Sequence, residues 1–265
     1  MTKSDDENKY RAPALDKGLD ILELLAQQPK GMTRSEIVKA MSRRPSEIYR
    51  MLERLVMRQY VSRSKEGDRY SLSMKLFLLG SEHPPLRRMV TQATPLMDEF
   101  AEHTEQSIHL VAPDGGFGVV IAQASGRANW EFRLRLGSQL DLLTTGSGHA
   151  LLAFQSDEGR SAMLQQQPSQ KKKSAPEWLS IQDELEEVRE KGYRVRKSGQ
   201  LIGVQDISVP ILSPSGRSIS VLTCPYIERL DQPGSGDTLS TLQRMRTVAD
   251  GLSVQLSDTD NNSST

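Results

Sequence analysis

Cysteine is almost absent: Cys224 is the single thiol in 265 residues. That excludes an internal disulfide and any multi-cysteine metal site, and it fits a reducing compartment. Aromatic residues make up only 5% of the chain. No apolar run approaches the ~20 residues a membrane-spanning helix needs, and the opening MTKSDDENKY lacks a signal-peptide core. A cytoplasmic location with no membrane partner is expected. Net charge is missing too, since 34 Lys/Arg balance 34 Asp/Glu. The balance hides a division. Residues 30–75 carry twelve Lys/Arg against five Asp/Glu, a net +7, while residues 82–265 carry eighteen against twenty-three, a net −5. A basic module is joined to an acidic one, and duplex DNA rewards such localisation because phosphate neutralisation supplies most non-specific affinity.

What the basic module contains is a pattern of short elements between Gly31 and Leu72. Ile37, Val38 and Met41 give one helix an apolar stripe. Ile48, Met51, Leu52, Leu55 and Val56 give a second, at the spacing of a helix with one buried face. Pro45 separates them, because it disfavours helical geometry at Arg44 and is itself suited to a first helical position. Tyr60–Arg63 and Arg69–Leu72 then read as strands around Lys65-Glu66-Gly67-Asp68, a hairpin turned by glycine. Helix, turn, helix and basic hairpin is the layout of a winged helix-turn-helix.

Burying one face of the second helix turns the other outward. That face carries Ser46, Glu47, Tyr49, Arg50 and Arg54, with Arg43 and Arg44 at its start, and its N-terminal residues are those a recognition helix offers to base edges. Arg50 is suited to guanine, and Ser46 and Tyr49 to base or phosphate. Thr33 and Arg34 at the first helix, and Lys65 and Arg69 in the hairpin, complete the expected DNA-binding set. The alternative is a small helical domain with a merely solvated basic face.

In chain order, residues 1–12 read as a disordered charged tail and residues 13–80 as the DNA-binding domain. Its first helix spans Leu15–Gln27, with Leu15, Leu19, Leu22 and Ala26 on one stripe, and a short helix over Met74–Leu79 closes it. Residues 81–257 form a second domain. It opens on a linker helix over Leu86–Glu105, kinked or divided at Pro95. Strands follow at Ser107–Ala112, Gly118–Ala124 and Glu131–Gly137, the last alternating Phe132, Leu134 and Leu136 inward. Helices are expected from Thr145 through Phe154, over Asp157–Gln167 and over Leu179–Gly192. Lys171-Lys172-Lys173 lies in a solvated loop between the last two. Strands at Ile207–Leu212 and Ser218–Cys224 precede a helix over Thr238–Gln255, and residues 258–265 form a loose tail. Hairpin strands with outer helices make an α+β domain around a mostly antiparallel sheet.

With these segments in view, residues 13–256 resemble the IclR family of bacterial transcriptional regulators. The resemblance rests on Ala14–Leu25, Ser46–Leu55, the wing Gly67–Leu72, Thr145–Ala153, Gly192-Tyr193, Gly203–Pro210 and Gly216–Thr223. It implies a GAF/profilin-like effector domain behind the winged helix and dimers through the DNA-binding domains, frequently paired again as dimers of dimers. It also implies a small, often carboxylated effector; a symmetric dimer in turn calls for a near-palindromic double-stranded operator. In the family a cysteine facing the effector often precedes the position of Pro210; here that position is Asp206. The acidic positions after Gly192-Tyr193 read Arg196, Lys197 and Ser198.

Thr145-Gly146-Ser147-Gly148 at a helix start leaves backbone N–H groups unpaired beside two hydroxyls, an anion-binding corner. Ordinary capping by Thr145 or Ser147 is the alternative. The expected effector pocket is lined by Thr145, Gly146, Ser147, Asp206, Ser208 and Thr223, with Arg196 as counter-charge, and Asp206 suits a ligand with hydroxyls or an amine. Cys224, His149 and Asp206 have the residue types of a thiol nucleophile, base and orienting acid, but no spacing brings them together. No metal motif, P-loop or dinucleotide fingerprint is present. A non-enzymatic regulator without a cofactor is therefore expected; the second reading is a DNA-binding protein whose other domain only oligomerises.

Overall fold

The computed structural model describes residues 12–64, 68–126, 132–167, 179–228 and 237–262. The chain divides into two units at Pro84–Pro85, a few residues past the expected end of the first domain. The expected tail over residues 1–12 falls almost wholly outside the described residues, as do Lys65 and Lys171–Lys173.

In the first unit, α1 (Pro13–Ala26) begins on a proline and buries Ile21, Leu22 and Leu25. Leu15 and Leu19 were expected on the buried stripe but are exposed. Only the C-terminal half of α1 lies over the small core of Ile37, Ile48, Leu52, Val61 and Tyr70. β1 (Met32–Thr33) leads into α2 (Arg34–Met41), which starts on a capping box between Thr33 and Glu36 and stops where Ser42 turns left-handed at φ 50°. α3 (Pro45–Met57) follows, with Arg44 extended before the proline. β2 (Val61–Arg63) and β3 (Arg69–Leu72) form the hairpin, and β1 joins it in a three-stranded sheet of order β1-β3-β2. That third strand is too short to show a period in sequence. α4 (Lys75–Glu82) runs through Gly80, where the sequence suggested an end, and buries none of its residues.

The second unit opens on α5 (Pro84–Thr104), a single helix that contains Pro95 rather than two shorter ones. β4 (Ile108–Asp114), β5 (Phe117–Ala124) and β6 (Gln139–Asp141) come next. α6 (Gly146–Ala153), α7 (Asp157–Gln165) and α8 (Gln182–Lys191) follow. β7 (Arg194–Lys197), β8 (Val204–Leu212), β9 (Ser218–Ile227) and α9 (Thr238–Asn262) complete the unit. β7 went unread in the sequence, and α9 extends past the expected end near Gln255. The strand expected over Glu131–Gly137 is absent from its described part, residues 132–137. There the chain joins the sheet only at Gly137, whose φ of 78° turns it inward so that its N–H reaches Val120 O at 2.8 Å. Leu136 is left 60% exposed.

Six strands, in order β6-β5-β4-β9-β8-β7, pair antiparallel throughout. The strand alternation of side chains splits the sheet into two faces. Ile108, Leu110, Ile207, Val209, Leu222 and Cys224 pack with α5 and α9 on one face. Val111, Val120 and Val221 pack with α6 and α8 on the other. It is this second face that changes character along its length.

Candidate functional site

Two places collect chemistry, one in each unit. In the first, the expected DNA-binding residues separate into those with partners inside the protein and those without. The Thr33 hydroxyl accepts from Glu36 N at 3.3 Å and so caps α2. Arg34 Nε donates to the Tyr70 hydroxyl at 2.6 Å and Nη2 to Glu53 at 2.9 Å, which ties α2 to the hairpin and α3. Arg69 reaches Gly31 O at 3.0 Å and Glu36 at 3.4 Å. Glu47 turns back to Lys17 of α1 at 2.7 Å, and that hydrogen bond holds its carboxyl below the usual range. These four brace the helices and the hairpin that carry the rest. Arg43, Arg44, Ser46, Tyr49, Arg50 and Arg54 all stand exposed at α3. Among the described residues no hydrogen bond or ion pair engages the guanidinium of Arg43, Arg44 or Arg50. Arg54 Nη1 donates to the Met57 sulfur at 3.4 Å.

The second place is a narrow cleft on the α6 face of the large sheet. Thr145, Gly146 and Ser147 enter it from the α6 start, Asp206 from β8, and Thr223 and Pro225 from β9. Phe132, Leu134, Leu140 and Leu201 give an apolar wall. Thr145 Oγ1 accepts from Gly148 N at 3.0 Å and donates to Asp141 O at 2.7 Å, so the capping reading of this hydroxyl holds. Capping uses one donor only and leaves the Gly146 and Ser147 N–H groups without an intrahelical acceptor. Glycine is needed at this corner because α6 is pressed against its neighbours. A Cβ at Gly146 would lie 2.9 Å from the Ser208 hydroxyl, and one at Gly148 would lie 2.5 Å from the Leu142 backbone.

Five of the seven expected pocket residues line the cleft, and two do not. Ser208 lies beneath the floor, fully buried, its hydroxyl 3.0 Å from that of Thr223, which in turn meets Ser147 at 2.9 Å. Arg196 points to Glu187 of α8 at 2.5 Å instead of into the cleft. The half-buried guanidinium behind the α6 start belongs to Arg194, which pairs with Glu184 at 3.3 Å. Burial raises the Asp206 carboxyl above its ordinary value, offset in part by a Ser198 hydrogen bond and the charge of Arg194.

The residue that sequence reading missed is His109, which lines the cleft from β4 while only 4% exposed. Its signal was a polar side chain at an inward position of the apolar strand IHLVAPD, which alternation alone marks. The thiol chemistry considered above has no geometry: Cys224 lies in the core on the opposite face, and burial raises its pKa further. His149 is buried. Its Nε2 donates to Leu143 O at 2.8 Å, and burial lowers its pKa. No helix among the described residues is long and apolar enough to cross a membrane.

Comparison with known proteins covers both units. A family model described as "Bacterial transcriptional regulator IclR C-terminal" matches residues 87–254, and one described as "IclR helix-turn-helix domain" matches residues 14–65. The HTH-type transcriptional regulator KdgR of Escherichia coli (strain K12) is 27% identical over 79% of this chain and 80% of its own length. The IclR structure from Thermotoga maritima shares 26% identity with a TM-score of 0.67, covering 91% of this chain and 98% of that one. An IclR homolog from Microbacterium hydrocarbonoxydans, solved with 4-hydroxybenzoate, superposes with a TM-score of 0.72 at 20% identity, over 92% and 98% of the two chains.

Proposed function

Since this chain belongs to the IclR family of bacterial transcriptional regulators, and is thus a DNA-binding regulator of transcription, we propose that a small organic ligand of the carboxylate type, held in the cleft at the α6 start, sets its operator affinity. The observation that carries this reading is the cleft itself: the Gly146 and Ser147 N–H groups, which α6 leaves without an intrahelical acceptor, converge on it with the half-buried Asp206. An anion at a helix N-terminus gains from the unpaired N–H groups and the helix dipole. A related fold solved with 4-hydroxybenzoate supports an organic acid of modest size.

On the DNA side, α3 lies in the major groove with Ser46, Tyr49 and Arg50 at base edges and Arg43, Arg44 and Arg54 at phosphates. Two copies of the chain bind together. Leu76, Phe77, Leu78 and Leu79 of α4, with Met74 just before it, are exposed apolar side chains that a second copy covers. A symmetric pair sets its recognition helices about one DNA turn, ~34 Å, apart and calls for a near-palindromic operator. The strands β4, β8 and β9 carry cleft residues on one face and the α5 core on the other. A ligand that favours one packing of these strands therefore shifts α5, and it acts only through its different affinity for the two arrangements.

The test is titration of a labelled duplex from the promoter of this chain's own gene, with and without a panel of small organic acids. At least one acid is expected to change the affinity about 5- to 150-fold. Asp206→Ala should keep DNA binding while that response changes. A panel that alters neither DNA affinity nor melting temperature would instead leave the second unit with assembly alone.

A further inference from the structure

One row of the large sheet breaks the apolar rule of its face. Gln123, His109, Thr223, Ser208 and Arg194 are successive cross-strand partners on β5, β4, β9, β8 and β7. The row beside it holds Val120, Val111, Val221 and Pro210. A buried polar row costs free energy unless its members are paired. Thr223 and Ser208 satisfy each other and Ser147. Gln123 Oε1, His109 Nε2 and Arg194 Nε have no partner among the described residues.

Of these three side chains, His109 is the one that faces the cleft. Its ring is buried among the strands and burial pushes its pKa down to about 4, so it is neutral at physiological pH. A neutral imidazole donates from one nitrogen and accepts at the other, which matches an alcohol and does not neutralise an anion. Thr223, the cross-strand partner of His109, also lines the cleft, and Asp206 adds an acceptor. A plain alkyl chain placed there would leave His109 Nε2 unsatisfied, and a site built around a hydroxyl discriminates strongly against analogues that lack it.

We propose that His109 is the specificity-determining contact of this cleft and bonds a hydroxyl of the ligand, so that the effector is a hydroxylated organic acid, not a plain alkyl or aryl acid. The proposal rests on the reading of the cleft as the effector site. The acid group sits at the Gly146 and Ser147 N–H groups, and the hydroxyl end reaches the polar row.

The experiment uses the full chain and two matched pairs of acids, gluconate with hexanoate and 4-hydroxybenzoate with benzoate, read by isothermal titration and melting temperature. In at least one pair the hydroxylated acid is expected to bind at least about tenfold tighter. His109→Leu should abolish that preference and His109→Asn should retain part of it. Unliganded His109→Leu protein should melt no lower than wild type, because an apolar group replaces an unsatisfied nitrogen; a purely structural histidine would give a lower melting temperature. Equal binding within both pairs, or a preference that survives in His109→Leu, overturns the proposal and leaves the effector reading standing. Failure of both hydroxylated acids to bind also overturns it, while the promoter titration judges the effector reading separately.

Discussion

Arg34 and Arg50 are both cations of the basic unit, yet their surroundings give them different work. Arg34 is held by Tyr70 and Glu53, while Arg50 stands exposed on α3. Composition counted both alike, because charge is legible in a sequence and partners 19 and 36 residues away are not. For Arg50→Ala, operator binding should weaken by about 1–3 kcal/mol with specificity relaxed at one base pair, read by titration against single-substituted operators. Uniform weakening on every sequence would make Arg50 a phosphate contact. His109 offers a second test at this scale. Its folded pKa is about 4 against an ordinary 6.5. Between those values the unfolded chain takes up a proton that the folded chain refuses, so stability falls as pH drops through the window. The ceiling is about 3 kcal/mol for this one group. Raised Asp206 works in the opposite sense, since a carboxyl whose folded pKa is raised loses stability as pH rises. Urea unfolding of wild type and His109→Leu across pH 4–7 isolates the histidine, and the variant's curve should be the flatter.

Among the elements, those with local causes were readable before the fold was known. Pro45 and the apolar stripe of Ile48 and Leu52 define α3, and Thr145 with its glycines defines the start of α6. The elements misread depend on distant neighbours. β1 and β7 are short edge strands that exist because β3 and β8 pair with them. The alternating Phe132–Leu136 segment reads as a strand, but the sheet takes hydrogen bonds only from Gly137 onward, and Phe132 and Leu134 serve the cleft wall instead. The cleft was half legible for the same reason. Its helix corner is local, whereas Arg194 and His109 are defined by cross-strand register. The closeness of α6 to Leu142 gives a test at this scale. Gly148→Ala places a methyl 2.5 Å from backbone that has no free rotor to move. The expected cost is about 1–3 kcal/mol in denaturant unfolding, from overpacking, and an unchanged midpoint would mean that the helix start has room to shift.

At the scale of the whole molecule, the neutral chain joins a cationic DNA-binding unit to an acidic second unit. Phe77 on α4 is 65% exposed in the single chain, which is costly for a large apolar side chain unless a second copy covers it. Phe77→Asp should shift sedimentation from dimer to monomer and weaken binding to a full palindrome at least about tenfold, since two half-sites are then no longer held together. The most direct measurement is fluorescence anisotropy of a duplex from the chain's own promoter, titrated with purified wild-type protein at several salt concentrations. Tight binding at low ionic strength is expected, falling by about 10³-fold or more between about 50 and 200 mM salt, with Arg43→Ala/Arg44→Ala lowering that salt slope. No binding to any such duplex at low ionic strength would contradict the assignment of α3 as the reading helix, and with it the reason for a ligand-sensing second unit.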